Sequence, residues 1–87
     1  MTEKTNNQQP NVALHTDNNC LAICFSGSFK QFDGAEVLQK IGNFVKKKPQ
    51  CIYFSAANLE TWDSSLLLLI FDTVKQAKKH NIKIELK

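Results

Sequence analysis

The sequence predicts an α/β fold: a four-stranded mixed sheet with two helices packed on one face, in the element order β-β-α-β-α-β. Three observations predict it. Two stretches, Val37 to Val45 and Leu66 to Ala77, repeat apolar residues at the three-to-four spacing that builds one face of a helix. Around them lie four short runs rich in β-formers: VALHT, CLAICFS, CIYFS and IKIEL. Strand–helix–strand alternation favours parallel pairing through right-handed crossovers.

Each element has its own signal. Residues 1–11, MTEKTNNQQPN, are polar amides and charges that bury too little to offset ordering entropy, so they are expected to form a disordered leader. The domain is expected over 12–87. Val12 to Thr16 alternates as a short strand, and the following Asp17-Asn18-Asn19 is turn chemistry leading into an antiparallel hairpin. Cys20 to Ser26 reads as a central strand, with Leu21, Ile23 and Phe25 on one face, and Gly27 is expected to end it. Asp33 is placed as the first helix's N-cap, with Glu36 three residues later and Phe32 able to staple onto Val37. Val37, Leu38, Ile41, Phe44 and Val45 form the apolar stripe, and the lysines and Pro49 stop it. Cys51 to Ser55 is too short for a helix and reads as a buried strand, with AANLET as a loop. Asp63 caps the second helix, with Trp62 and Leu67 as a second staple pair. Asn81 supplies a left-handed exit, and Ile82 to Leu86 alternates as the last strand. No helix follows to cover that strand, so a domain cut before its last helix is expected, and a homodimer is one way to hide apolar surface left open.

Composition narrows the function. The chain has 87 residues, 43% hydrophobic and 22% charged, enough for one small core. Its longest apolar run, Leu66 to Phe71, is far too short to span a bilayer, and the N-terminus has no signal-peptide segment, so the cytoplasm is expected. The net charge is +3, and all eleven basic residues are lysine. Without arginine there is no bidentate phosphate grip, so nucleic acid is not an expected partner. Lys46, Lys47 and Lys48 sit where cations oppose a helix dipole. Three cysteines make no disulfide framework and are expected as small buried hydrophobes. His15 and His80 fall at element edges, so neither a metal site nor a cofactor is expected. No nucleophile–base pair or Gly-rich phosphate loop points to an enzyme.

The stretch TWDSSLLLLIFD holds the candidate site. At 100° steps, about 3.6 residues per turn, Leu66, Leu67, Ile70, Val74 and Ala77 share one side, with Phe71 at its margin. That side is expected to meet the sheet. Asp72, Lys75, Gln76 and Lys79 take the opposite side, with Leu68 in their midst and Leu69 on the flank, both facing water. A small apolar patch with a polar handle is a plausible docking surface. Ser64 and Ser65 occupy the first turn, where the free N–H groups favour an anion such as a phosphate. Ser64 is not placed as a catalytic nucleophile, since no histidine or GxSxG elbow accompanies it.

The element order, the glycine after the second strand and the Asp-Ser-Ser opening the second helix resemble a STAS domain, over nearly all of Val12 to Leu86. The segment that carries most of the likeness is CIYFSAANLETWDSSLLLLIFDTVKQAKKHNIKIEL. In the anti-sigma-factor antagonists of that family, the serine after the aspartate accepts a phosphate from a partner kinase. The resemblance therefore implies Ser64 as phosphoacceptor, with Asp63 before it and Ser65 after it. Leu66 stands where those antagonists usually carry glycine, and WDSSLLLLI looks more like the STAS domains fused to or paired with MlaE-type permeases of lipid-transporting ABC systems. This implies a non-enzymatic regulatory module at the inner face of the bacterial inner membrane, touching the membrane only through the permease. Its partner would be an ABC ATPase or permease subunit, met through Trp62, Ser65, Leu68, Leu69 and Asp72.

Overall fold

The computed structural model describes residues 9–86, so the expected leader lies mostly outside the described residues. Gln9 and Pro10 are exposed, and the first strand already begins at Asn11. The elements are β1 (Asn11–Asp17), β2 (Cys20–Phe29), α1 (Ala35–Val45), β3 (Cys51–Trp62), α2 (Ser64–Lys79) and β4 (Lys83–Leu86). They form an α/β fold with one four-stranded mixed sheet in the order β1-β2-β3-β4. The β1–β2 pair is antiparallel, and β3 runs parallel to both β2 and β4.

Local chemistry explains the joints. Asn18 and Asn19 both sit at positive φ, 53° and 66°, between the paired Asp17 and Cys20. Two left-handed residues match the twist of a tight hairpin, and asparagine tolerates that region well. At the end of α2, Asn81 is left-handed at φ 59°. The Ile82 amide donates to the Ala77 carbonyl at 2.8 Å and the Asn81 amide to that of Lys78 at 3.2 Å. These two bonds form a Schellman motif, with Ile82 tucked into the core.

One core fills the space between sheet and helices. Leu21, Ile23 and Phe25 from β2 and Ile52 and Phe54 from β3 meet Ile41 and Val45 of α1 and Leu66, Leu69 and Ala77 of α2. Both helices therefore cover the same sheet face. Val37, Leu38 and Phe44 pack at its edge, as the stripe of α1 predicts.

Four expectations are corrected. First, Gly27 does not end β2: it sits at φ 85° in a bulged stretch, and β2 continues to Phe29 while β3 runs on through AANLET to Trp62. The register between them slips at Cys24/Ser26 and again at Gly27/Ser28, which lets two long strands stay paired around a bend. Second, Gly34 rather than Asp33 is the N-cap of α1. Asp33 sits one residue outside, its Oδ1 accepting from the Ala35 amide at 3.1 Å.

Third, the cysteines are not all isolated hydrophobes: Cys20 and Cys51 form a disulfide, leaving Cys24 free. Parallel pairing sets these two residues directly opposite each other, with Cα atoms 4.6 Å apart. Fourth, α2 is turned by about 60° from the expected orientation. Leu66, Leu69, Thr73 and Ala77 point inward, while Leu67 and Phe71 are exposed. Leu69, expected at the surface, is only 4% exposed. The reason is α1, which packs beside α2 on the Leu69 side: a Cβ on Gly34 would lie 3.1 Å from Leu69 Cδ1. Thr73 tolerates burial because its hydroxyl donates to the Leu69 carbonyl at 2.8 Å.

Candidate functional site

The start of α2 is built around one carboxylate. The Asp63 amide donates to the Phe29 carbonyl at 2.9 Å, which places the residue where β2 and β3 end together. Its Oδ1 accepts from the Ser65 amide at 2.9 Å, the N-cap bond the sequence predicts, and from the Ser65 hydroxyl at 2.5 Å. Its Oδ2 reaches across to the loop after β2 and accepts from the Gln31 amide at 2.9 Å. Ser65 Oγ in turn accepts from the Phe32 amide at 2.9 Å. Two side chains thus latch residues 31 and 32 onto the helix start.

This arrangement needs a sharp turn, and Gln31 supplies it at φ 55°. Phe32 then lies edge-on to the fully buried Phe29, with ring centroids 4.9 Å apart, which anchors the loop to the core. The Asp63 carboxyl is held below its ordinary range, chiefly by the Ser65 hydroxyl, then by the Gln31 and Ser65 amides, with the nearby Lys30 charge adding to them.

The two serines have different roles. Ser65 is half-buried and its hydroxyl both donates and accepts. Ser64 is exposed, and its hydroxyl has no partner among the described residues. His80 caps the far end of α2, about 24 Å away along the axis, and His15 lies on exposed β1. Neither is placed to activate Ser64. Among the described residues, no three histidine, cysteine or acidic side chains gather as a metal site.

The expected partner surface is divided in two by α2. Ser65, Leu68, Leu69 and Asp72 line one groove of about 330 Å³, closed on the other side by Phe32, Asp33, Gly34 and Leu38. Leu68, 62% exposed, is its outer wall, whereas the buried Leu69 contributes only to its floor. Trp62, 52% exposed, lies beyond the helix in a second groove of about 300 Å³ with Phe54, Leu59, Leu66, Leu67 and Ile70. Among the described residues, no charged side chain lines that groove.

Gln31, Phe32 and Gly34 were not predicted as site residues. Nothing in the sequence marks Gln31, whose left-handed conformation has no side-chain signature. A better clue was available at Phe32-Asp33-Gly34, which reads as a helix entry and which β2's length then brings to Asp63.

No family model matches the chain, and no curated protein matches it in sequence. Because Gly27 lies inside β2 rather than after it, the likeness to STAS domains rests on the element order and the Asp-Ser-Ser motif.

Proposed function

We propose that this chain is a non-enzymatic protein-interaction module that receives its partner on the start of α2 and the groove beside α1. The observation that carries this reading is the latch. Asp63 and Ser65 spend their polar groups fixing the loop, while Ser64 and Leu68 are left outward on a helix start that cannot easily move. A scaffold tied together in this way, displaying one apolar side chain and one hydroxyl without a partner among the described residues, suits recognition.

In its most concrete form the module is the N-terminal cytoplasmic STAS domain of an ABC-type phospholipid transport permease. It would bind the ATPase or a neighbouring permease subunit at the inner face of a bacterial inner membrane. No described helix is long and apolar enough to cross a membrane, so membrane contact would run through the permease. Mixing the purified chain with the ATPase of such a system tests this. Leu68→Asp is expected to abolish binding, and unchanged binding would remove the proposed surface.

The exposed Ser64 hydroxyl, without a partner among the described residues, favours one second reading, an anti-sigma-factor antagonist switched by phosphorylation. A phosphate there would add nearly two negative charges at the helix's positive end, with Lys30 close to Asp63. Intact-mass measurement after incubation with a cognate kinase and ATP separates the two. A phosphate on Ser64 that releases the partner would favour the switch over the transport module.

A further inference from the structure

The groove beside α1 has a charge pattern that specifies its occupant. Phe32, Leu38 and Leu68 form apolar walls, Asp33 and Asp72 add two carboxylates, and among the described residues no lysine lines it. This pattern occurs on a chain whose net charge is +3. Asp72 is half-buried and has no hydrogen bond or ion pair among the described residues. It lies in the middle of α2, away from the helix's positive end. A carboxylate beside leucine with no cation against it among the described residues leaves room for an arriving one.

We infer that the groove takes a partner helix bearing an aliphatic side chain and, one turn away, a lysine or arginine. The aliphatic group would sit against Leu68, Phe32 and Leu38, and the cation would reach Asp72 and Asp33. Leu68 and Asp72 are four residues apart and so stack on one helix face, which sets the same one-turn spacing on the partner. A second copy of this chain fits less well. Of the large apolar side chains that line the groove among the described residues, only Leu68 is exposed, whereas a stable dimer buries roughly 800 Å² per partner. The inference rests on the interaction-module reading and adds the partner's chemistry to it.

Two synthetic amphipathic helices test it, identical in length and leucine positions, one with lysine and the other with glutamate on the polar face. Each is titrated into the ¹⁵N-labelled chain and followed by amide shifts. The lysine helix is expected to bind at least tenfold more tightly, with shifts centred on Leu38, Leu68 and Asp72. Overall charge works against that result, since a net +3 chain attracts the glutamate helix. The half-exposed Asp72→Lys is expected to reverse the preference. Equal or tighter binding of the glutamate helix, binding of neither, or a preference unmoved by Asp72→Lys overturns the inference. Leu68→Asp keeps the two levels apart. If it abolishes binding while the peptide's charge makes no difference, the docking face stands and only the cationic partner falls. If the lysine helix binds Leu68→Asp as it binds the wild type, the face itself is wrong.

Discussion

The disulfide offers the most direct test of the fold. Cys20 and Cys51 stand opposite each other on parallel strands, 31 residues apart in sequence, and the loop they close contains most of β2 and all of α1. Breaking the bond returns the entropy of that closed loop to the unfolded chain. For a loop of this length the chain-entropy relation gives about 3.7 kcal/mol at 25 °C. A chain of 87 residues has a total stability on the order of 4–13 kcal/mol, so the loss is a large fraction of the whole. For a domain of this size it corresponds to a fall in melting temperature of roughly 15–30 °C. The assay is thermal unfolding with and without a reductant, alongside thiol titration in denaturant. Untreated protein should show one reactive thiol, Cys24, and reduced protein three. The double variant Cys20→Ala/Cys51→Ala should melt near the reduced wild type. Three thiols before reduction would mean that the bridge is not there. A thiol count that rises from one to three while the melting temperature moves by less than about 5 °C would refute the loop-entropy reasoning instead.

Leu69→Ala should cost about 2–5 kcal/mol in denaturant unfolding, because Leu69 is buried between α1 and α2, whereas the exposed Leu68→Ala should stay within about 0.5 kcal/mol; equal costs would mean that the observed rotation of α2 is wrong. Gly27→Ala forces an alanine into φ 85° at the bulge and should destabilise by about 1–2 kcal/mol, measured the same way. The depressed Asp63 carboxyl stabilises the fold above the unfolded-state value near 3.8, and that contribution is lost as pH falls through its lower folded value. Asp63→Asn should therefore narrow its stability gap to the wild type as melting curves are taken from neutral pH down to acid, and a gap that stays constant would exclude a titrating Asp63.

The parts of this fold that the sequence made legible are those set by local chemistry. Asp63 as a cap, Asn18-Asn19 as a turn and Asn81 as an exit depend on one residue's own hydrogen bonds or φ preference, and each is where the pattern placed it. The α1 stripe was legible because only one apolar arc exists on that helix. On α2, apolar residues cover more than half the circumference, so their mean direction does not say which arc faces inward. The neighbouring helix decided it, through the close approach of Leu69 to Gly34, a contact 35 residues apart in the chain. The disulfide and the extension of β3 were hidden for a similar reason. Both depend on which residues of two distant strands lie opposite each other. A seven-residue tail such as AANLETW has weak strand propensity until Gly27 bends its partner to meet it.

The division of labour along β2 and β3 bears on how the site can work in the compartment proposed for it. The disulfide joins the two strands at their starts, where the Gln50 amide also donates to the Asn19 carbonyl at 2.7 Å. The latch joins them at their ends, roughly 30 Å away along a ten-residue strand. In a reducing cytoplasm the two thiols would part, and global stability would fall by the amount worked out above. The latch would not be touched, because its five bonds connect Asp63 and Ser65 only to residues 29, 31 and 32 and to each other. Each such bond contributes about 1 kcal/mol net, and together they set a local opening equilibrium distinct from global unfolding. The groove's shape is therefore expected to depend on Asp63, Ser65 and the Leu69–Gly34 approach rather than on the sulfurs, and amide shifts of Leu38, Leu68 and Asp72 that move little on reduction would bear this out.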